Sequence, residues 1–399
     1  MKINILILKG QSMYNVLRHA SDQIADGFTE LGCNVTILDL TLEKDCEQIS
    51  VSLLSTFHIV FSFQALLFSE CIKNTNAPII SYNKNVTFFG HIVDHPIYHL
   101  HRLTTAHSDN MHIACIDYSH IEFINAYLPN VKHTTFLSHG GFTSHADTPF
   151  KKRDIDIFFP SSYVPPSVIY DEIKSLPDVY KNIANDLIET MLINPMLTLQ
   201  EALKDYLTKI HFTYSNDEFV ELMELYNVID RYIRAYTRDQ IITCLLDHEI
   251  KVTVCGNGWE DSEYTNSDFL SIATIPDKDI TNVINLMSRS KIVLNHVPTL
   301  QEGFHERIFT SMLNGAICLT NDFPIINKDF KNMSNIILYN INLDNSCIDN
   351  IKSVLNDNCL GSQIALNGYK IAQKSHSWAH NAEKILDYYY NINFGTISI

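Results

Sequence analysis

Short apolar runs alternate with longer stretches of helical spacing almost from the first residue. Residues 2–8 read as an apolar strand, Lys9-Gly10-Gln11-Ser12 as the loop leaving it, and the chain to about Leu31 as a helix stopped by Gly32. Further strands are predicted at 34–40, 58–63, 78–82, 87–89, 112–116 and 132–137, with a helix over 43–56. This alternation predicts a parallel, doubly wound sheet. The loop Ser138-His139-Gly140-Gly141-Phe142 then opens a polar, proline-containing stretch to about Arg153, which reads as a linker.

A second sheet starts at 154–159, followed by the loop Pro160-Ser161-Ser162-Tyr163. Residues 165–232 are glycine-poor and helical in pattern, and read as an insertion. The alternation resumes with a helix over 233–248, a strand over 251–255 and the turn Gly256-Asn257-Gly258-Trp259. Residues 291–320 then compress a βαβ unit into one run. A β-branched strand over 291–297 leads into a loop carrying Glu302 and Gly303. A helix over 305–314 follows, with Ile308, Phe309, Met312 and Leu313 at apolar positions, then the stop Gly315 and another strand. Such a loop lies at the carboxyl end of its strand, where open α/β sheets bind ligands. Arg307 in the first helical turn opposes the helix dipole. An anion held by His305, Arg307 and the free N–H groups, beside the strand end at Asn295, would remove that conflict. A last helix opens at Ser377-Trp378 and runs to about Tyr390.

The chain's 399 residues exceed what one hydrophobic core usually serves, so two domains are expected: 1–150 and 151–376, with 377–399 as a terminal helix. A formal charge of −16 argues against nucleic-acid or anionic-membrane partners, and Lys151-Lys152-Arg153 is an isolated basic run. Nine cysteines without a C-x-x-C pair suggest a reducing, cytoplasmic setting. The first ten residues lack a secretory apolar region, and the apolar stretch around 59–68 falls short of a membrane span, so no stable membrane insertion is expected.

Gln301-Glu302-Gly303-Phe304, followed by Arg307-Ile308-Phe309 and Met312-Leu313-Asn314-Gly315, resembles the donor-binding core of the GT-B glycosyltransferases. The likeness is nearest to the CgeB-like (spore-protein-like) branch of group 1. That group carries Glu-x7-Glu, and Thr310 stands where the second Glu belongs. The resemblance implies two Rossmann-like, doubly wound domains facing a cleft, with the helical insertion in the C-terminal one and the last helix crossing back to the first. It implies transfer of a sugar from a nucleotide-diphosphate sugar to a hydroxyl of a glycan, protein or small molecule, with retention, no metal and no cofactor.

On that resemblance Glu302 orients the donor sugar, because an ionised carboxylate accepts from two hydroxyls at once. The donor set is completed by Gly10, Ser161, Ser162, Arg238, Gly256, Asn257, Gly258, Trp259, Asn295, Gly303, Phe304, His305, Arg307 and Thr310. In it Arg238 opens the helix before the 251–255 strand, the glycines admit close backbone approach, and Trp259 walls the base pocket. Gly90-His91-Ile92-Val93-Asp94-His95-Pro96 looks like the D-H-P segment of CgeB-like relatives. Asp94 or His95 would act on the acceptor hydroxyl, with His91, His139 and Gly140 on the acceptor side. His91, His95 and His99 are also spaced for a zinc site, but Pro96 interrupts any continuous helix through them. The insertion is a candidate surface for acceptor recognition or self-association. Rival readings are a sugar-nucleotide- or partner-binding protein without turnover, a nucleotide-sugar epimerase, and an NAD-dependent oxidoreductase built on Gly256 and Gly258, whose dinucleotide fingerprint is incomplete.

Overall fold

A computed structural model describes residues 2–71, 77–105, 108–144, 148–340 and 343–395. The chain divides into two compact units, residues 1–140 with 375–399 and residues 141–374. The division falls within the expected linker, ten residues before the expected boundary at 150. Residues 145–147 of that linker lie outside the described residues.

Unit 1 is built on six parallel strands: β1 (Asn4–Lys9), β2 (Asn34–Asp39), β3 (Ile59–Phe63), β4 (Thr87–Ile92), β5 (Met111–Cys115) and β6 (His133–Phe136), in the order β2-β1-β3-β4-β5-β6. Its central strands are apolar on both faces, with Ile5, Leu6, Ile7, Val60, Phe61 and Ile113 fully buried, as a sheet covered by helices requires. The expected strand at 78–82 is instead a 3-10 turn, Ile79–Ser81. A short buried apolar run has no period that separates the two, and β4 already fills the place beside β3. The expected helix over 43–56 is two short pieces, Glu43–Cys46 and Val51–Leu54. Ser50 interrupts it by capping the second, accepting from the Leu53 N–H at 3.2 Å.

The last helix, Trp378–Phe394, packs in unit 1 against the first, Val16–Glu30. The contact is close because Gly27 has no side chain: a Cβ there would stand 2.8 Å from the Ala379 Cα.

Unit 2 repeats the plan with β7 (Ile155–Pro160), β8 (Val252–Cys255), β9 (Leu270–Ile272), β10 (Ser290–Asn295), β11 (Ile317–Asn321) and β12 (Ile337–Tyr339), all parallel in the order β12-β11-β10-β7-β8-β9. Between β7 and β8 stand the helices Pro166–Lys174, Asp178–Ile193, Leu199–Lys209 and Asn216–Met223, followed by the long helix Tyr226–Asp247. Two of these begin with reciprocal capping boxes, Thr198 with Glu201 and Ser215 with Glu218. In each sheet the winding reverses once, between β1 and β3 in unit 1 and between β7 and β10 in unit 2. Loops leaving neighbouring strands part there and open a crevice at the carboxyl edge. No described helix is long and apolar enough to cross a membrane.

Candidate functional site

The crevice of unit 2 is lined by the loops after β7 and β10, the start of the helix Glu306–Leu313, and the helix Tyr226–Asp247. Three arginines converge there. Arg238 donates from Nη1 to the Ser162 carbonyl at 2.5 Å and lies over the Phe159 ring, 5.6 Å from its centroid. Arg307 donates from Nη1 to Asn295 Oδ1 at 3.3 Å. Arg234 pairs with the buried Asp230. The Nε of Arg238 and the Nε of Arg307 are buried and have no acceptor. Burial, together with the charges of Arg234 and Arg307, pulls the Arg238 guanidinium down to about 9. Burial also lowers Arg307, although Glu306 opposes the change. A buried donor without an acceptor costs about 1–3 kcal/mol, so the site is electrostatically incomplete as it stands.

A buried neutral histidine braces the cluster. His296 lies between Thr237 Oγ1 (2.6 Å from Nε2) and the Tyr339 hydroxyl (2.8 Å from Nδ1). Thr237 also donates to the Ile233 carbonyl and Tyr339 to the Asn295 carbonyl at 3.1 Å, so the imidazole is held by two hydroxyls that are themselves anchored on the backbone. Burial first, then the three arginines, holds this imidazole far below its ordinary pKa, so it adds no further positive charge.

The β10 loop is pinned by the helical insertion. Gln301 donates from Nε2 to the Pro195 and Pro298 carbonyls at 2.7 and 2.5 Å, and Thr299 donates to Asp230 at 2.5 Å. Glu302 follows directly, half-buried, with Gly303 buried beside it. His305 caps the helix, its Nδ1 accepting from the Arg307 N–H at 3.2 Å, and is half-buried. Ser161, Ser162, Asn295, His305, Arg307 and Arg238 are thus brought to one crevice, with Glu302 on the loop that leads into it. Among them Asn295 is 1% exposed and serves as a clamp, accepting from Arg307 and donating to Thr320 Oγ1 at 3.0 Å. Arg238 does not open its helix; it sits well inside one that starts at Tyr226.

Several expected donor contacts are structural instead. Thr310 is fully buried: its hydroxyl donates to Glu306 Oε2 at 2.7 Å and accepts from the Phe142 N–H at 3.2 Å. It ties the segment entering unit 2 to the helix and has no hydrogen left for a ribose. Burial raises the Glu306 carboxyl against the pull of Arg307 and Thr310. Phe304 packs in the core against Phe309, Phe323 and Phe330. Trp259 is completely buried, stacks near Tyr163 and donates from Nε1 to the Ser161 carbonyl at 2.6 Å, so it offers no wall to a base. Gly256 and Gly258 have positive φ and are pressed against protein rather than opened to a ligand. A Cβ on the first would lie 2.7 Å from the Ser162 nitrogen, and on the second 2.2 Å from the Tyr163 oxygen. Asn257 is exposed; its N–H donates to Ser162 Oγ and its carbonyl accepts from the Tyr163 N–H.

The remaining residues belong to unit 1. Gly10 ends β1 with Leu66 against it. His91 is fully buried on β4, with Nε2 2.9 Å from the Leu137 carbonyl, and burial lowers it to about 3. His95 is a cap, its Nδ1 accepting from the Ile97 N–H at 3.2 Å, packed on His120 and Phe123 and held neutral by burial. That removes it as a base for an external hydroxyl. His139 is buried and lowered to about 4. Gly140 is where a side chain would meet Trp378, 2.6 Å from its ring. Asp94 is different: its side chain is 57% exposed, and Gln64 donates to its Oδ2 at 2.5 Å. No group of three or more His, Cys, Asp or Glu among the described residues is placed to hold a metal.

Arg234, Thr237, His296 and Tyr339 were not anticipated from sequence. The usable signal was Arg234 and Arg238 four apart on one helix, which puts both guanidiniums on one face.

Residues 234–387 match a family model described as glycosyl transferase-like. No curated protein matches the sequence. Among solved structures the chain is similar to sucrose-phosphate synthase from Thermosynechococcus elongatus, with 9% identity and a TM-score of 0.54 over 99% of this chain and 100% of that one. It is similar to HepE of Anabaena in complex with UDP-glucose, with 12% identity and a TM-score of 0.53 over 97% and 99%. It is also similar to an α-glucosyltransferase in complex with UDP and a 13-mer DNA containing an HMU base, with 11% identity and a TM-score of 0.57 over 98% and 100%. At such identities the likeness is one of fold: two Rossmann-like α/β units in the GT-B architecture.

Proposed function

We propose that this chain is a glycosyltransferase of the group 1 type, nearest the CgeB-like branch, moving a sugar from a nucleotide-diphosphate donor to an acceptor hydroxyl. The observation that carries this reading is the trio Arg234, Arg238 and Arg307 at the crevice of unit 2, two of them with an Nε–H that finds no acceptor. A diphosphate supplies the missing oxygens and a matching charge. The N-terminus of the Glu306 helix, capped by His305, adds its positive dipole end beside them. When the bond from the anomeric carbon to the diphosphate breaks, the departing oxygen gains negative charge. Guanidiniums and the helix end already in place stabilise that charge without a metal. Glu302, on the loop braced by Gln301 and Thr299, is the carboxylate suited to the donor's sugar hydroxyls. The E-G-F loop around it supports retention of configuration.

The test is a thermal-shift and hydrolysis screen with UDP-, GDP-, dTDP- and CMP-linked sugars. A selective donor raises the melting temperature by mass action and is slowly hydrolysed. Arg307→Ala abolishes the shift, and Glu302→Ala abolishes hydrolysis while nucleotide still binds. A Glu302→Ala protein with undiminished turnover removes the residue from the reaction. One observation favours a second reading, a nucleotide-sugar binder without turnover: Thr310 is committed to internal contacts where the family pattern has an acid. Tight donor binding with neither hydrolysis nor transfer would select it.

A further inference from the structure

At the amino edge of its sheet, opposite the edge where the loops part, unit 1 holds a cavity of about 820 Å³. That is the size of a site for a small organic ligand. Residues entering β4, β5 and β6 line it, together with Ile392 and Asn393 from the last turn of the helix Trp378–Phe394. Strand register builds its floor. His112 of β5 pairs with Phe89 of β4 and with His133 of β6, and Thr87 stands two residues before Phe89. Side chains alternate along a strand, so Thr87, His112 and His133 share one face. Tyr388 packs on that face, its ring 5.7 Å from Phe89 and its hydroxyl 3.1 Å from His112 Nδ1.

The floor is polar and unfinished. The His112 and His133 rings stack at 4.5 Å, nearly parallel. His112 is only 5% exposed and Thr87 6%. Yet His112 Nε2, Thr87 Oγ1 and both nitrogens of His133 have no hydrogen-bond partner among the described residues, and each keeps accessible surface. At the rim Lys132 donates to Asp109 Oδ1, while Lys84 makes no hydrogen bond or ion pair among the described residues. Lys132 first, and more weakly His133 and Lys84, hold the Asp109 carboxyl below its ordinary range. All three therefore stand around one carboxylate. With Lys84 and Lys132 against Asp109, the lining is positive in a chain whose formal charge is −16.

We propose that this cavity binds a small hydroxylated phosphate monoester, its phosphate at Lys84, Lys132 and His133 and its hydroxyls at His112 Nε2 and Thr87 Oγ1. Asp109 marks where the phosphate sits, because the three groups already converge on its carboxylate. Its side chain is 81% exposed and free to turn out to solvent. A phosphate brings about −1.5 to −2 charge and three acceptor oxygens, more than a carboxylate offers two lysines and an imidazole. Threonine and neutral imidazole each donate and accept, as the hydroxyls of such a ligand do. Pro129 and Ile392 line the same cavity and give the carbon skeleton apolar contact. From Thr87 here, β4 runs to Ile92 at the carboxyl edge, five rises or roughly 17 Å. The ligand is therefore not a reactant of the transfer proposed above, and the inference does not rest on that reading.

The test is a titration of the full chain followed by the imidazole carbon–proton NMR signals of His112 and His133, which report on this cavity alone. The probes are glycerol 3-phosphate, glucose 6-phosphate, inorganic phosphate, glucuronate and glucose. At least one monoester shifts both signals and binds at least tenfold more tightly than glucose or glucuronate, with inorganic phosphate weaker than that monoester. Lys84→Gln combined with Lys132→Gln weakens the monoester at least tenfold, and Thr87→Val weakens it by a smaller factor. Asp109→Asn strengthens it, because the competing carboxylate is gone; a purely structural ion pair gives no such gain. Lys84, Asp109 and Lys132 are exposed, so these variants keep the fold, which an unchanged near-ultraviolet spectrum verifies. The inference is overturned if no monoester moves the two signals, or if inorganic phosphate, glucuronate or glucose binds as tightly as the best monoester. Weaker binding by Asp109→Asn overturns it too. A separate UDP titration reads the crevice of unit 2, so failure of the donor reading shows independently.

Discussion

Arg238→Met separates a residue kept for a ligand from one kept for the fold. Holding a guanidinium at about 9 means that burial has weakened its proton affinity by three to four powers of ten, equivalent to about 5 kcal/mol against the folded state. At pH 7 the group is protonated in both states, so that penalty is present in full, and it fades only as pH rises above the folded value. The residue is half-buried, so solvent screens part of it, and methionine gives up the bond to the Ser162 carbonyl, worth about 1.5–3 kcal/mol. The unliganded variant should therefore be equal to or more stable than the parent, by about 0–2 kcal/mol, or up to several degrees in melting temperature for a unit of this size. Nucleotide affinity should fall by roughly 10- to 150-fold, the equivalent of one lost charge-assisted hydrogen bond. Differential scanning calorimetry with and without UDP reads both quantities. A variant that melts well below the parent yet binds UDP normally would refute the reasoning, because Arg238 would then be a structural strut.

Other outcomes follow from the same contacts. Thr310→Val should cost about 1–3 kcal/mol in denaturant unfolding, since it strands the Phe142 N–H, while leaving UDP affinity within twofold in a titration. Gly258→Ala should destabilise unit 2 more than that or prevent folding, because its Cβ would overlap the Tyr163 carbonyl at a φ of +88; soluble expression and circular dichroism check it. Buried His91, His112 and His139 and half-buried His376 all lie in unit 1, lowered to about 3 for the first and about 4 for the others. Because these groups stay neutral when folded but take protons when unfolded, their contribution is whole above pH 6.5. It is lost as pH falls from there towards 4, at about 1.4 kcal/mol per pH unit for each. Unit 1 should unfold first in acid, read from Trp378 in a Trp259→Phe background.

The strands with strong period were legible: β1, β7 and β10 are apolar runs bounded by polar loops, and the loop–helix corner at 295–307 followed from them. β9 and β12 were not, because three residues such as Leu270-Ser271-Ile272 carry too little pattern to outweigh neighbouring loops. Trp259 was misjudged for a different reason. Its place in a glycine turn is a local fact, but its burial depends on Tyr163 and Phe159, a hundred residues earlier and invisible to spacing. The arginine cluster is half legible: Arg307 conflicts with its own helix dipole in the sequence itself, whereas His296 and Tyr339 meet only through the sheet order.

Because Trp378–Phe394 completes the layer begun by Val16–Glu30, the 141–374 body is spliced into the middle of the other one. On the ribosome the inner body is whole as soon as its last helix emerges, while the outer one waits with an uncovered helix flank until the final turn is made. Any protease cut or early stop codon beyond residue 374 would therefore injure the beginning of the polypeptide, not its end.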